Sequence, residues 1–298
     1  MTKFIWVLLL VGGLLSLASC DKEEESIPSY IYITKFDFYT DYATHGPPSS
    51  NIEDVVVIVD NKEYGTFTLP AMVPINEKGS VDVILFPGIR VNGGSQNRKV
   101  YGMYTSHKAT IDLEQKLIDT IKPITTYKSN VKLVWSEDFE DNGLRIRSSR
   151  NNNSEDSIQF TDSSSTEAFK SDYSEFSGYI NMNTTDSQEV LEYETMGLWN
   201  VPNGDNDVFL ECDYKTNTNI QFGIYADKVA IYEQIGIFVV SPTEGEWKKI
   251  YINLNSETGV LKSSDKIRVF FGVYNDGVKN PDFIPEIYLD NLKLVHLN

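Results

Sequence analysis

The sequence predicts an all-β chain, an immunoglobulin-like β-sandwich followed by a jelly-roll β-sandwich, and three observations point there. Aromatic residues make up 12% of the 298 residues, with Tyr and Phe dominant, and such side chains favour a pleated, half-buried surface. Short apolar runs alternate with clusters of Gly, Asn, Asp, Ser and Thr, which punctuate strands. No long stretch carries a helical period.

Taken in order, Tyr30 to Phe38 reads as a strand, and Val55 to Val59 with Glu63 to Thr68 as a hairpin around Asp60, Asn61 and Lys62. Val81 to Phe86 and Lys99 to Met103 flank Pro87, Gly88 and a turn at Asn92, Gly93 and Gly94. Ala109 to Leu117 fits either a strand or a short helix. Ile121 to Thr126 contains Pro123, which suits an edge strand closing the first sandwich at residues 30–128. Tyr127 to Asn130 is too short and lacks the composition of a flexible linker, so a rigid join to the second sandwich, 131–298, is expected.

There Val131 to Trp135 is the opening strand. Ser148 to Thr166, with NNNSEDS and TDSSST, reads as a long loop. Strands are expected at Gly178 to Met182, Gln188 to Glu194, Val208 to Tyr214, Gln221 to Tyr225, Gly236 to Val240, Trp247 to Leu254, Lys266 to Tyr274 and Glu286 to Val295, a count that suits a jelly roll.

The N-terminus carries its own information. Lys3 precedes an apolar run from Phe4 to Leu17, shorter than the roughly 20 residues of a spanning helix and therefore a signal peptide, residues 1–19. Leu17, Ala18, Ser19 and Cys20 resemble the lipobox of bacterial lipoproteins, which implies cleavage before Cys20 and its lipidation. Asp21, Lys22, Glu23, Glu24 and Glu25 form a solvated tether with no apolar residue, spanning 20–29 with the residues up to Ser29. Asp21, Lys22, Glu23 and Glu24 resemble the lipoprotein export signal of Bacteroidota, which implies an outer-membrane protein facing the cell exterior.

Without the signal peptide the chain holds 25 basic and 43 acidic side chains. A polyanion would be repelled by most of such a surface, which disfavours nucleic-acid binding, and no nucleic-acid partner is expected. The acids concentrate late: 15 acids and 12 bases lie between Cys20 and Leu133, 28 and 13 from Val134 onward. A solvated outer face accounts for this, with cation binding as the sharper alternative. Cys212 alternates with Val208, Leu210 and Tyr214 and reads as a small core residue.

Catalysis finds no motif. His45, His107 and His296 lack metal-ligand spacing, and neither a GxSxG elbow nor a phosphate-binding GxxxxGK[ST] loop occurs. Glu211 and Asp213 share a strand face, but the ExDxxE pattern of laminarinase-like hydrolases needs a glutamate where Thr216 stands. The chain is expected not to be an enzyme.

SEDFE (Ser136 to Glu140), GEWKKIYINL (Gly245 to Leu254) and IYLDNLKLV (Ile287 to Val295) together resemble jelly-roll carbohydrate-binding modules and galactose-binding-like domains. That resemblance implies a structural calcium shared by Asp138 or Glu140 with Asp290. It also implies sugar stacking on exposed aromatics, with Trp199 first and Tyr173, Phe176 and Tyr179 next; Trp247, between polar neighbours in a strand, reads as buried on the core face. The mature chain, including DFYTDYATHG, VIVDNKEYGTFTLP and LFPGIRVNGG, is similar to surface lipoproteins of Bacteroidota. Some of these are accessory subunits of outer-membrane machines. Two functions are therefore expected: docking on an outer-membrane barrel protein or other surface lipoproteins, as in β-barrel assembly or transport, or glycan capture.

Overall fold

The computed structural model describes residues 27–152, 157–182, 188–204, 206–228, 231–280 and 282–298. The signal peptide, Cys20 and the acidic export motif lie outside the described residues. Among those residues no helix is long and apolar enough to cross a membrane.

The chain is all-β. In the first half the strands are β1 (Ser29–Ile33), β2 (Asp37–Tyr39), β3 (Asp54–Val59), β4 (Lys62–Thr68), β5 (Ala71–Ile75), β6 (Gly79–Arg90), β7 (Arg98–Val100), β8 (His107–Leu113), β9 (Ile118–Ile121) and β10 (Ile124–Thr126). Sheets β5-β1-β9 and β10-β2 face β4-β3-β6-β7, with β8 also on β6. Asp60 and Asn61 turn the β3–β4 hairpin with φ of 46° and 65°, the left-handed values a tight two-residue turn requires.

Several expectations are corrected here. The strand expected from Tyr30 to Phe38 is two, because Phe36 turns into the core while β1 and β2 join different sheets. Pro123 splits the expected closing strand in the same way, into β9 on β1 and β10 on β2, both parallel. Pro87 and Gly88 do not end their strand: β6 runs through them as far as Arg90, with Pro87 opposite Val55. Ala109 to Leu117 resolves into the rest of β8 and the turn that leads to β9.

The second half contains β11 (Val131–Glu137), β12 (Ile146–Ser148), β13 (Gln159–Phe160), β14 (Gly178–Asn181), β15 (Val190–Thr195), β16 (Val208–Thr216), β17 (Ile220–Lys228), β18 (Ile231–Val240), β19 (Lys248–Asn253), β20 (Lys266–Tyr274) and β21 (Glu286–Leu297). Sheet β13-β14-β21-β16-β19, joined by β11 on β21, packs against β12-β15-β20-β17-β18. β12 and β13 lie within or beside the stretch read as a loop.

Alternation explains why one sheet serves two cores. In β16 the side chains of Leu210, Cys212 and Tyr214 enter the core between the two sheets, as do Ile250 and Ile252 of β19 and Leu292 and Leu294 of β21. The intervening residues Phe209, Tyr251 and Val295 point the other way and complete the first half's core, beside Tyr101, Tyr104 and Tyr127. Successive strand residues must face opposite sides, so both faces of this sheet are buried. Cys212 is fully buried, as the alternation predicts, and burial pushes its thiol pKa well up.

On the outer face of the five-stranded sheet, Phe270 lies over Gly223. A Cβ there would come within 2.4 Å of the Ile235 carbonyl oxygen and 2.5 Å of the Phe270 ring. Gly223→Ala is therefore expected to lower stability by about 1–3 kcal/mol, since backbone on one side cannot yield; urea denaturation measures it.

Candidate functional site: a groove between the sandwiches

The residues of that doubly buried sheet that face the first half form a polar seam. Glu211 is fully buried and accepts hydrogen bonds from the hydroxyls of Tyr101 at 2.7 Å and Tyr127 at 2.9 Å. Asp213 accepts one from Ser49. The Lys249 ammonium sits 3.5 Å from Asp213 and 3.8 Å from Glu211, and Lys293 donates to the Pro47 carbonyl at 2.6 Å. Buried charges persist only when paired or hydrogen-bonded; here the ion pairs lie within the second half and the hydrogen bonds from Tyr101, Tyr127, Ser49 and Lys293 cross between the halves.

Burial pushes the Lys293 pKa down to about 8, Lys249 adding to the effect and Glu211 opposing it. Because folding lowers this pKa from 10.5, the unfolded chain holds the proton more tightly between those values. The destabilisation is complete below pH 8 and is relieved as pH rises toward 10.5. Unfolding free energy is expected to rise by on the order of 2 kcal/mol between pH 7 and 9.5, measured by urea denaturation, and the rise should flatten in Lys293→Met. Above pH 10 the buried Tyr101, Tyr104, Tyr127 and Tyr251 act in the opposite sense, because burial raises their pKa values.

Where the seam reaches the surface it opens into a groove of about 570 Å³. One wall comes from the first half: Ser50, Asn51 and Glu53 before β3, and Arg90 with Gly93 and Ser95 after β6. The other comes from β16 and β19 with Phe169. Arg90 is fixed by ion pairs of 3.2 Å to both Glu53 and Asp54 and by a hydrogen bond of 2.6 Å to the Ser95 carbonyl. The Asn51 backbone N–H donates to the Tyr251 hydroxyl at 2.8 Å, and its side-chain amide donates to Glu53 at 2.7 Å. Asn92 N–H donates to the Tyr251 carbonyl at 2.9 Å while its side chain accepts from Asn253 N–H at 3.0 Å, which clamps the loop after β6 onto β19.

Trp247 stands on the opposite wall. It is half-buried, its indole N–H donates to the Glu167 carbonyl at 3.0 Å, and Phe169 meets it edge-on at 5.4 Å. The expectation that Trp247 faces the core is corrected: it precedes β19 and shares the side of Lys249 and Tyr251, opposite Ile250 and Ile252. The groove thus sets an oriented indole across from fixed planar polar groups, the chemistry that recognises a sugar ring by stacking and hydroxyl pairing.

Of the other predicted sugar platforms, Tyr179 adjoins Trp247 through Tyr288, whose ring meets the indole at 6.5 Å, and none lines the groove. Trp199 packs half-buried on the second core, its ring against Gly197 and its backbone bridged to Ile267, and the indole N–H is buried without a partner. Trp199 is half-buried, as Trp247 is, but it does not line the groove. Tyr173 is exposed and stacks 6.4 Å from Tyr42, while Tyr179 stacks 4.8 Å from Tyr288. Phe176 packs against the second core.

The acids expected to hold calcium each accept hydrogen bonds within the protein. Asp138 accepts from the Tyr42 hydroxyl at 2.6 Å, Glu140 from the backbone N–H groups of Glu175 and Phe176 at 2.9 Å each, and Asp290 from Ser174 and Ser177 at 3.0 and 2.8 Å. Glu140 and Asp290 thus pin one loop from two sides through hydrogen bonds. Among the described residues no group of three or more His, Cys, Asp or Glu side chains is placed to hold a metal ion.

No protein-family profile matches the chain, and no curated protein does. Its structural neighbours are carbohydrate-binding modules with β-sandwich folds. One, from work on promiscuous specificity in the β-sandwich superfamily, covers 81% of this chain and 84% of its own at 14% identity and TM-score 0.34. The CBM22-2 xylan-binding domain of Paenibacillus barcinonensis Xyn10C covers 55% and 99% at 14% identity and TM-score 0.35. A module specific for non-crystalline cellulose covers 50% and 87% at 7% identity and TM-score 0.34. At such scores the functional reading stands on the groove itself.

Proposed function

We propose that the chain is a non-catalytic, glycan-binding lipoprotein, anchored through Cys20 at the exterior of an outer membrane, and that the groove between its sandwiches receives the sugar. The observation that carries this reading is the pairing of the oriented Trp247 indole with Asn51, Glu53 and Arg90 across a groove of about 570 Å³, the scale of a small-ligand site. Binding is favoured over hydrolysis because Glu211 is sealed beneath Tyr101 and Tyr127, while Asp213 and Glu53 are held beside Lys249 and Arg90 as fixed acceptors. The barrel-docking role expected from the sequence has no comparable geometric support.

The test is a glycan array probed with the mature chain. Hits that disappear with Trp247→Ala and weaken with Asn51→Ala support the reading; a blank array with folded protein contradicts it.

A further inference from the structure

The outer face of sheet β5-β1-β9 breaks the usual rule for a solvent-facing sheet, which alternates apolar residues inward with polar residues outward. Ile31, Ile33, Val73 and Ile75 fill the core. Their outward neighbours form two rows across the sheet, Pro74–Tyr30–Ile118 and Met72–Tyr32–Thr120. Only Thr120 is a small polar residue. Met72 is 47% exposed, Ile118 57%, and at the rim Leu117 is 52% and Ile27 44% exposed.

The chain upstream cannot cover this face, since Asp21 to Glu25 are all charged. What that segment does supply is a leash. Cys20 lies nine residues before Ser29, at most about 30 Å away at roughly 3.3 Å per residue, and Ser29 begins β1, the middle strand of this sheet. A lipid on Cys20 therefore keeps this face within reach of a bilayer. Tyrosine is favoured at the level of lipid headgroups, with neighbouring aliphatic side chains reaching the acyl boundary. Exposed Lys116 and Lys122, flanking β9, can keep their ammonium groups in water while their stems lie along the apolar surface.

We infer that this face, built on Tyr30, Tyr32, Met72, Pro74 and Ile118, rests on the lipid bilayer and fixes the orientation of the protein. The inference depends on the Cys20 anchor proposed above. It leaves the groove free: the Ser29 hydroxyl donates to the Glu77 carbonyl just before β6 begins, whereas groove residue Arg90 ends that strand. The 12 residues of β6 separate the two ends by about 36 Å at roughly 3.3 Å per residue.

The experiment couples the mature chain through the Cys20 thiol to a maleimide lipid in phosphatidylcholine vesicles, with or without brominated acyl chains; buried Cys212 does not compete. An Ile118→Trp reporter should lose emission in brominated vesicles relative to the parent chain, while a Tyr232→Trp reporter on the second half's outer sheet should not. Equal emission from Ile118→Trp in both vesicle types, or equal quenching of both reporters, would overturn the inference. Because the coupling supplies the anchor, this result is independent of whether cells lipidate Cys20. Mass spectrometry of the protein from its native membrane decides that separately: an unmodified Cys20 would refute the anchor, and with it the biological placement.

Discussion

Replacing Trp247 with alanine is expected to weaken glycan binding about five- to thirtyfold while the fold survives. The indole is a large ring on its wall of the groove, oriented by the Glu167 carbonyl on its N–H and by the T-shaped contact with Phe169. Loss of an aromatic platform costs about 1–2 kcal/mol through area and ring geometry together, and each 1.4 kcal/mol is about tenfold in affinity. Because the side chain is half-buried, Trp247→Phe serves as the milder variant and should retain part of the affinity. Titration calorimetry with an array hit measures both, and circular dichroism checks the fold.

The largest stability effect is expected at Glu211. Glu211→Ala would leave two buried hydroxyls, Tyr101 and Tyr127, without their acceptor and would remove one of the two carboxylates beside Lys249. Breaking a buried, hydrogen-bonded charge network from one side costs about 3–5 kcal/mol, a large share of the roughly 5–15 kcal/mol that stabilises a typical domain. Glu211→Gln keeps an acceptor oxygen for one tyrosine and should cost less. Urea denaturation should show the order wild type, Gln, Ala; an unchanged midpoint for Ala would mean that the seam contributes nothing to holding the halves together.

Much of the second sandwich was legible because its strands carry clean alternation. The odd positions of GEWKKIY also hold the signal for the groove: Ile250 and Ile252 belong to the core, so Trp247, Lys249 and Tyr251 must face away from it. That parity argument applies equally to Glu211 and Asp213, whose shared face is visible from the sequence. What alternation cannot show is what covers that face. The partners of Glu211 and Asp213 are Tyr101, Tyr127 and Ser49, between 84 and 164 residues away, and no local pattern encodes them. Trp199 shows the opposite limit: Gly197, Asn200, Pro202 and Asn203 mark a loop around it, yet the ring turns back onto the core.

In the first sandwich the misleading residues were prolines. Pro70 and Pro74 obscure β5, which alternates buried Ala71, Val73 and Ile75 with exposed Met72 and Pro74. This is an edge strand, where a proline costs no ladder bond on its open side. The apolar outer face of its sheet was hidden with it, because Tyr30 and Tyr32 look like ordinary strand residues until the register sets them between Pro74, Met72 and Ile118.

The central expectation is that sugar enters the groove beside Trp247 and not the surface around Trp199. It is tested most directly by titrating one array-identified glycan into the mature chain, Trp247→Phe and Trp199→Phe in parallel by calorimetry. The account predicts weakened binding for Trp247→Phe and unchanged affinity for Trp199→Phe; loss at Trp199 with full binding retained at Trp247 would contradict it.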